Sequence, residues 1–339
     1  MRGAQPPQPP FSRRRLLGAA ACLAATPLAA FTPAAHAHHA RPHIPRIYMI
    51  LFRGETAVET GFREWFAENK HAAEFLVRSV DLDASRAPGL LDEARAWHAD
   101  LIYTWGTPVS VAVAEREFDI PILFTMVSAP IAAGLVRSLA SSQRNLTGVS
   151  HVVPARLQMN AIRNYRRFDR IGAIFNPNEV NARFAVREMR SEVERNSAEF
   201  ICRPVPLNDA GQPQPDAIPQ LLRELKAQGA QLLYVGPDSF LSANRKLLTE
   251  TALALGLPVF SAAEVTLRDG RALFGLVAGY RNVGRLTAHK AAQILYHRAK
   301  PAALPIETPG SYSYLVNMDV ARQLDMMPPA RVLQIAEQI

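Results

Sequence analysis

Short apolar runs of strand length alternate with segments of helical periodicity, and this alternation constrains the fold more than any other feature. The runs are continuously apolar, which is typical of strands buried on both faces of a parallel sheet. The predicted strands are residues 47–52, 75–80, 101–105, 120–124 and 146–149, and after Pro154 residues 171–175, 200–205, 232–235 and 259–260. The predicted helices are residues 56–69, 90–97, a helix opened by Pro108, and residues 131–139, 155–167, 182–195, 218–228 and 243–255. Such alternation implies right-handed crossovers with helices on both faces of each sheet. The sequence therefore predicts an α/β protein with two doubly wound parallel-sheet lobes in tandem and a cleft between them.

The length and composition agree with two lobes. A chain of 339 residues corresponds to two domains of ordinary size. Charged residues make up 20% of it, in no long blocks of one sign, which excludes wholesale disorder. Two cysteines exclude a disulfide scaffold. We predict that Cys202 is a small hydrophobic side chain in a strand.

Residues 1–37 have the pattern of an export signal. Three consecutive arginines from Arg13 precede an apolar run over residues 16–31, and Ala35-His36-Ala37 forms an A-x-A cleavage site. The apolar run is short and interrupted by proline, so a cleaved signal is favoured over an uncleaved anchor. The Ser-Arg-Arg pattern resembles a twin-arginine signal, with the general secretory route as the alternative. Cys22 lies too close to the arginines for a lipoprotein signal. We therefore expect a periplasmic protein.

The charge and the histidines point to neither nucleic acid nor metal. The net charge of +8 falls to +4 when residues 1–37 are removed, because they hold four arginines and no acid. The remaining basic residues are scattered, so nucleic-acid binding has no support. His38, His39 and His43 could bind a metal, but a mobile, solvated tail is the favoured explanation. The other histidines lack metal-ligand spacing, and we predict no metal site and no cofactor.

Polar and turn-forming residues follow three predicted strands of the first lobe. They are Arg53, Gly54, Glu55, Trp105, Gly106, Thr107, Ser128, Ala129 and Pro130. Ligands of open α/β sheets bind beyond the carboxyl ends of the strands, so we predict that these residues bind ligand. Thr107 and Ser128 are each placed to cap a helix. Two helix N-termini facing one cleft would hold a carboxylate or phosphate, although capping alone also explains both residues.

The second lobe supplies a similar set of small polar residues. Its predicted ligand-binding residues are Asn176, Asp238, Ser239, Phe240, Ser261 and Glu264. Phe240 and Trp105 could enclose an apolar part of a ligand, or could pack in the core. Catalytic motifs are missing from the sequence: it contains no G-x-S-x-G, H-E-x-x-H, G-x-x-x-x-G-K-[ST], G-x-G-x-x-G after the first strand, or C-x-x-C. These patterns favour binding without catalysis.

Several segments, in order and spacing, resemble one family. They are residues 105–108 (WGTP), 120–136 (IPILFTMVSAPIAAGLV), 145–150 (NLTGVS), 175–178 (FNPN), 256–260 (GLPVF), 280–285 (YRNVGR) and 306–309 (IETP). They resemble the solute-binding proteins of ABC transporters, in the branch that includes tryptophan- and tyrosine-type binding proteins. The resemblance covers residues 47–330.

The resemblance implies a type I periplasmic-binding-protein fold, whose two lobes, joined by a hinge, close on a small ligand and are then recognised by a membrane permease. It implies three crossings between the lobes, near residues 150–154, 278–280 and 305–309. The implied lobes are residues 44–152 plus 280–303 and residues 153–279 plus 304–339. A helix over residues 283–299 would rejoin the first lobe, and a strand over residues 314–317 the second. The implied ligand-binding set extends to Ser150, Gly279, Tyr280 and Arg281.

The chain departs from the family pattern at positions that bear on the ligand. Members of the family usually carry Asp where this chain has Ala129, often carry Asp at the position of Gly279, and carry Tyr at the position of Arg281. Acids in the cleft would suit a ligand ammonium group. We therefore hypothesise a neutral or anionic ligand, with Arg53 or Arg281 as a counter-charge.

Three functions remain open at the level of sequence. The first is a monomeric periplasmic solute-binding protein of an ABC-type uptake system, partnered by an inner-membrane permease and performing no chemistry. The second is a periplasmic sensory component read by a membrane-bound kinase or cyclase, because the fold does not specify the partner. The third is a two-lobed hydrolase or isomerase, which would require a coupled acid–base or nucleophile pair in the cleft.

Overall fold

The computed structural model describes residues 43–339. The predicted export signal, Cys22, His38 and His39 lie outside the described residues. Residues 44–339 form one unit that contains two sheets. No helix among residues 43–339 combines the length and the apolar character that crossing a membrane would require.

The first sheet has five parallel strands in the order β2-β1-β3-β4-β5. The strands are β1 (Arg46–Leu51), β2 (Glu74–Ser79), β3 (Leu101–Trp105), β4 (Ile122–Thr125) and β5 (Leu146–Val149). Three helices follow strands of this sheet: α1 (Ala57–Glu68), α2 (Ala87–Ala96) and α3 (Thr107–Ala114). Every residue of β3, β4 and β5 is buried, as expected for strands covered on both faces.

The second sheet has seven strands in the order β12-β11-β10-β9-β8-β6-β7. The strands are β6 (Arg170–Phe175), β7 (Glu199–Pro204), β8 (Leu232–Val235), β9 (Val259–Ser261), β10 (Phe274–Val277), β11 (Ser313–Val316) and β12 (Glu337–Gln338). Its pairs are parallel except for β10 with β11. The helices that follow are α4 (Ala155–Tyr165), α5 (Val180–Arg195), α6 (Ile218–Ala227), α7 (Ser239–Ala243), α8 (Arg245–Ala254), α9 (Glu264–Arg268), α10 (Tyr280–Leu295), α11 (Met318–Gln323) and α12 (Ala330–Leu333). The predicted α/β architecture with two doubly wound, largely parallel sheets is confirmed.

Helix α10 returns the chain to the first sheet. Its buried residues, among them Val283 and Ala288, belong to the same apolar core as β1 and β3. Glycines allow α10 and α1 to approach to backbone contact, because a Cβ at Gly284 would overlap the carbonyl oxygen of Val58 and one at Gly61 that of Arg281. The chain then goes back to the second sheet through β11 and β12. Described residues thus pass between the sheets three times, after β5, after β10 and after α10.

Two of the passing segments are joined by backbone hydrogen bonds. The N–H of Ser150 donates to the carbonyl oxygen of Glu307 at 2.8 Å, and the N–H of Glu307 donates to that of Gly148 at 3.3 Å. The fully buried Lys290 of α10 donates to the carbonyl oxygen of Pro305 at 2.6 Å and pairs with Glu307. These bonds tie the segments together where the chain changes sheets.

The predicted helix over residues 131–139 is wrong. The N–H of Ala133 donates to the carbonyl oxygen of Ala129, but those of Leu135 and Val136 then both donate to Pro130. Gly134 has a φ of +73°, a left-handed conformation that ends the helix after one turn. Ser128 therefore precedes a turn and does not cap a second helix.

Smaller corrections concern helix ends and a missed strand. Gly106, with a φ of +88°, takes the cap position of α3, and Thr107 is the first helical residue instead of the cap. The predicted helix over residues 243–255 is observed as α8, and the short helix α7 that ends just before it, at Ala243, was not predicted. The sequence reasoning missed β10, a strand of four residues that contains a glycine.

Candidate functional site

A narrow cavity of about 30 Å³ lies where the carboxyl ends of strands from both sheets face each other. Its walls come from residues that follow β1, β3 and β4, from the passing segment after β5, and from residues after β8 and β9 and at the start of α5 and α10. The lining residues are Arg53, Trp105, Gly106, Thr107, Met126, Ser128, His151, Asn181, Pro237, Asp238, Ser239, Ser242, Ala263 and Tyr280. Parallel strands direct their carboxyl ends to one edge, which is why these distant segments meet.

The structure brings together part of the predicted set. Eight predicted residues line the narrow cavity: Arg53, Trp105, Gly106, Thr107, Ser128, Asp238, Ser239 and Tyr280. Gly54, Glu55 and Glu264 line a wider cavity of about 380 Å³ that shares Arg53 and Tyr280 with it. Eight others line neither cavity: Ala129, Pro130, Ser150, Asn176, Phe240, Ser261, Gly279 and Arg281.

The sequence reasoning did not assign six of the lining residues: Met126, His151, Asn181, Pro237, Ser242 and Ala263. Pro237 and Ala263 stand within segments already singled out after β8 and β9, so the strand-end rule could have found them. His151 was available from its place just after β5. Asn181 and Ser242 lie on helices, where no periodic signal marks a cavity residue.

Arg53 brings a positive charge to the cavity. Its side chain is half-buried, and its guanidinium carbon lies 4.7 Å from the centre of the Trp105 ring, a cation–π contact. No carboxylate among residues 43–339 lies within 4 Å of this guanidinium. The neighbouring Glu55 pairs with Arg63 at 2.5 Å. The described part of the chain therefore leaves the charge of Arg53 without an acidic partner.

Two buried nitrogens of the cavity wall have no hydrogen-bond partner among residues 43–339. They are Nε1 of Trp105 and Nδ1 of His151, in side chains that are 5% and 7% exposed. Buried polar atoms usually have a partner, so each such atom requires an explanation. Both residues line the cavity, where a bound molecule would reach them.

His151 is neutral at physiological pH. Burial, together with the charge of Arg53, lowers its pKa to about 4. At pH 7 the ring is therefore an uncharged imidazole, able to donate from one nitrogen and accept at the other.

We expect His151 to make the protein less stable as the pH falls. Between pH 6.5 and pH 4 the unfolded chain binds this proton while the folded chain does not, so acidification favours unfolding. The free energy of unfolding should fall by about 3 kcal/mol across this window from His151 alone. Urea unfolding at several pH values should show that His151→Gln lacks this component, whereas His297→Gln, at an exposed position, keeps it. Parallel pH profiles for wild type and His151→Gln would contradict the assignment.

The acidic residues on the second sheet's side of the cavity accept hydrogen bonds from neighbouring groups on that same side. Asp238 accepts hydrogen bonds from the N–H of Asn176 at 2.7 Å and of Leu241 at 2.9 Å. Burial, with the charge of Glu179, raises the pKa of Asp238. Glu179 accepts from the N–H of Ser239 at 2.9 Å and of Phe240 at 3.1 Å. This network orders the segment after β8, which carries Ser239 into the cavity.

Asparagine side chains complete that network. The Nδ2 of Asn181 donates to Glu179 at 3.1 Å and to the carbonyl oxygen of Pro237 at 3.0 Å. The Nδ2 of Asn176 donates to Glu179 at 3.2 Å. Asn176 does not line the cavity, but its hydrogen bonds help to hold Asp238 and Glu179 in place.

The other predicted charges are also paired. Glu264 accepts from the N–H of Tyr280 at 2.6 Å and pairs with Arg268 at 2.6 Å. Arg281 is exposed and pairs with Glu64 of α1 at 2.7 Å. Of the two arginines that the sequence offered as counter-charges, the structure places Arg53 in the cavity and Arg281 on the α1 side of α10.

A third cavity, of about 230 Å³, adjoins the narrow one and shares Ser128, Asn181 and Pro237 with it. Its lining includes Val152, Val153, Phe184, Ala185 and Tyr234, with Arg156, Glu188 and Glu192 as charged members. The narrow cavity is therefore adjacent to a mainly apolar chamber that is lined in part by the passing segment after β5.

The described residues of the narrow cavity include three serines and one histidine. Among residues 43–339 no hydrogen bond joins the hydroxyl of Ser128, Ser239 or Ser242 to His151, as a nucleophile and its base would need. In the same range no three His, Cys, Asp or Glu side chains are grouped as metal ligands. The arrangement is suited to hold a molecule by charge, hydrogen bonds and apolar contact.

The family model described as ABC transporter substrate binding protein matches residues 58–339. A tyrosine-binding protein of Clostridioides difficile (strain R20291) is 25% identical over 228 residues, which are 67% of this chain and 63% of that relative. The chain thus aligns with less than two thirds of that curated relative.

Solved structures show the same fold. An ABC domain from Streptococcus pneumonia in complex with L-Trp has a TM-score of 0.78 at 21% identity, with 87% of this chain and 99% of that chain covered. A ligand-free, open substrate-binding protein from Clostridium difficile has a TM-score of 0.68 at 22% identity, with the same coverage. An arabinose-binding protein from Geobacillus stearothermophilus has a TM-score of 0.56 at 13% identity, covering 83% and 99%. The expected type I periplasmic-binding-protein fold is confirmed.

Proposed function

Because this chain belongs to the family of ABC transporter substrate-binding proteins, we propose that it captures a small molecule between its two sheets for uptake through an inner-membrane permease. Capture would close the two lobes about the passing segments, and the permease would recognise the closed form. One observation carries the proposal. Residues that follow strands of both sheets, such as Arg53, Trp105 and Ser239, converge on one cavity.

The proposed lobes are residues 44–152 plus 280–303 and residues 153–279 plus 304–339. Two observations support this division: α10 shares the apolar core of the first sheet, and β11 and β12 extend the second sheet. The bonds between Ser150 and Glu307, and between Lys290 and Pro305, join the passing segments. These segments would serve as the hinge.

We also propose that the protein performs no chemistry, acts as a monomer and reaches the periplasm through its N-terminal signal. The absence of a paired nucleophile and base among the described cavity residues supports the first point. The second point follows the general behaviour of solute-binding proteins of this fold, and the family supports the third, since its members deliver solutes to permeases at the membrane. The ligand-binding residues proposed are those of the narrow cavity, together with Gly54, Glu55 and Glu264 at its wider neighbour.

Binding of a ligand in this cavity should stabilise the protein and close it. We expect one class in a panel of amino acids, aromatic acids, dicarboxylates, nucleosides and sugars to raise the melting temperature by several degrees. At 100 times its Kd, such a ligand adds about 2.7 kcal/mol to the free energy of unfolding. Small-angle scattering should show a smaller radius of gyration in its presence, and mass spectrometry should recover the ligand unchanged.

A matched pair of variants locates the binding. Ser239→Trp fills the cavity wall and should abolish stabilisation by the ligand. Ser191→Trp makes the same change on an exposed face of α5 and should leave the stabilisation intact. Equal responses in both variants, conversion of the ligand, or no response to any class would contradict the proposal.

A further inference from the structure

We infer that the ligand is a monocarboxylate with an apolar body and without an α-ammonium group, bound with its carboxylate at Arg53. The inference rests on the proposed function and specifies the substrate class of the same cavity. It follows from the charges and unpartnered atoms of the cavity and from the chamber that adjoins it.

Arg53 supplies the charge that a carboxylate needs. The arginines of the wider cavity have acidic partners, Arg268 in Glu264 and Arg245 in Asp269, and Arg156 of the adjoining chamber is exposed to solvent. Arg53 is the one arginine among the described residues that line the narrow cavity; it has no acidic partner in that range and is half-buried against Trp105. A partly desolvated cation without a counter-charge favours an anionic ligand, because the pair recovers the electrostatic energy lost on burial.

The cavity has no acid free to receive an ammonium group. Asp238 is the carboxylate of the narrow cavity, and both of its oxygens accept backbone N–H groups. Glu179, behind it, accepts from Ser239 and Phe240. Burial and this neighbouring acid raise the pKa of Asp238, which further weakens it as a partner for a cation. In the adjoining chamber, Glu188 and Glu192 pair with Arg187 and Arg195. A zwitterion would therefore bring its ammonium group into the narrow cavity at a desolvation cost that no free carboxylate there offsets.

Hydrogen-bond donors stand beside the charge. Trp105 offers an unpartnered Nε1–H, and the neutral His151 offers an unpartnered Nδ1, both in buried side chains of the cavity wall. Indole N–H is a donor only, so its partner on the ligand must be an acceptor. A carboxylate has two acceptor oxygens and can engage the guanidinium of Arg53 and a second donor together.

The adjoining chamber is the reason that we infer an apolar part of the ligand. It begins at Ser128, Asn181 and Pro237 and is lined farther in by Val152, Phe184 and Tyr234. Its volume of about 230 Å³ accommodates a ring or a branched hydrocarbon chain. A short carboxylate without such a body would leave the chamber empty and would not gain the free energy of its apolar surface.

The test compares ligands that differ in one group. Calorimetric titration of the wild-type protein would use indole-3-propanoate, L-tryptophan and indole-3-propanamide, and the corresponding phenyl series: 3-phenylpropanoate, L-phenylalanine and 3-phenylpropanamide. We expect the acid of at least one series to bind at least tenfold more tightly than the matching amino acid and the matching amide. An amino acid that binds as tightly as its acid, or an amide that does, would overturn the inference.

Variants identify the counter-charge. Arg53→Gln should weaken binding of the acid at least tenfold, with an unchanged melting temperature for the free protein. Arg285→Gln, at an arginine of α10 that pairs with Glu68 of α1, should bind like the wild type. Full affinity in Arg53→Gln, or a loss in Arg281→Gln instead, would overturn the assignment.

The outcomes also separate this inference from the proposed function. A sugar, a nucleoside or a dicarboxylate that closes the protein while all six probes fail would leave solute capture standing and remove the monocarboxylate class. A failure of every panel compound to bind would contradict both.

Discussion

Replacing Gly284 with alanine is expected to lower the free energy of unfolding by about 3 kcal/mol. The added Cβ would overlap the carbonyl oxygen of Val58, which is backbone of α1 and has no rotamer through which to yield. Helices α1 and α10 would have to separate, and the core that α10 shares with β1 and β3 would loosen. Urea denaturation at pH 7 would measure the loss.

Gly89 provides the matched control, because it lies in α2 and a Cβ there has no heavy atom within 4 Å. Gly89→Ala should be neutral or stabilising by about 0.4–1 kcal/mol, since alanine reduces the entropy of the unfolded chain. Equal effects of the two substitutions would contradict backbone contact between α1 and α10. The comparison also tests whether α10 belongs to the first lobe. If it does, moving α10 away from α1 should loosen the apolar core of that lobe.

Glu59→Ala is the second change with a large expected effect, a loss of about 3 kcal/mol in the free energy of unfolding. The Glu59 carboxylate is fully buried and accepts from the N–H and the hydroxyl of Thr56 at 2.8 Å each. It also accepts from the hydroxyl of Tyr103 at 2.5 Å. Alanine would leave that hydroxyl unpaired in the core and would remove the capping box of α1.

Glu68, in the last turn of the same helix, is exposed and pairs with Arg285. Glu68→Ala should cost no more than about 1 kcal/mol, because exposed ion pairs contribute little. A similar loss for both variants in thermal and urea unfolding would contradict a larger contribution of the buried hydrogen bonds of Glu59 to the free energy of unfolding. The network matters to the site as well, since it holds the start of α1 directly after the segment that carries Arg53.

The alternation of apolar runs was sufficient to predict most of the fold. The strands at residues 101–105, 146–149 and 232–235 were predicted at their observed ends, because fully buried strands are continuously apolar between polar turns. The helix over residues 131–139 failed for a local reason. Its composition is apolar, but Gly134 adopts a left-handed conformation, and a single-sequence pattern does not reveal the φ of a glycine.

The candidate site was predictable only in part. The strand-end rule located Arg53, Trp105 and Asp238, because the carboxyl ends of parallel strands share an edge. It did not distinguish side chains that face the cavity from those that support it, such as Asn176, or that pair elsewhere, such as Arg281. Those outcomes depend on contacts between segments far apart in the chain.

The sequence alone therefore determined the α/β class, the tandem order of the two sheets and the resemblance to solute-binding proteins. These properties follow from the periodicity and order of residues along the chain, which short-range sterics and burial translate directly into strands and helices. The tertiary structure decided which charges are left without partners. Arg53 follows β1 and Arg281 lies in the first turn of α10. The packing of α10 on α1 brings Glu64 to Arg281, whereas Arg53 lies in the cavity beside Trp105. Whether a charge is paired depends on distances between segments that meet only in the folded chain, and electrostatic energy falls with those distances.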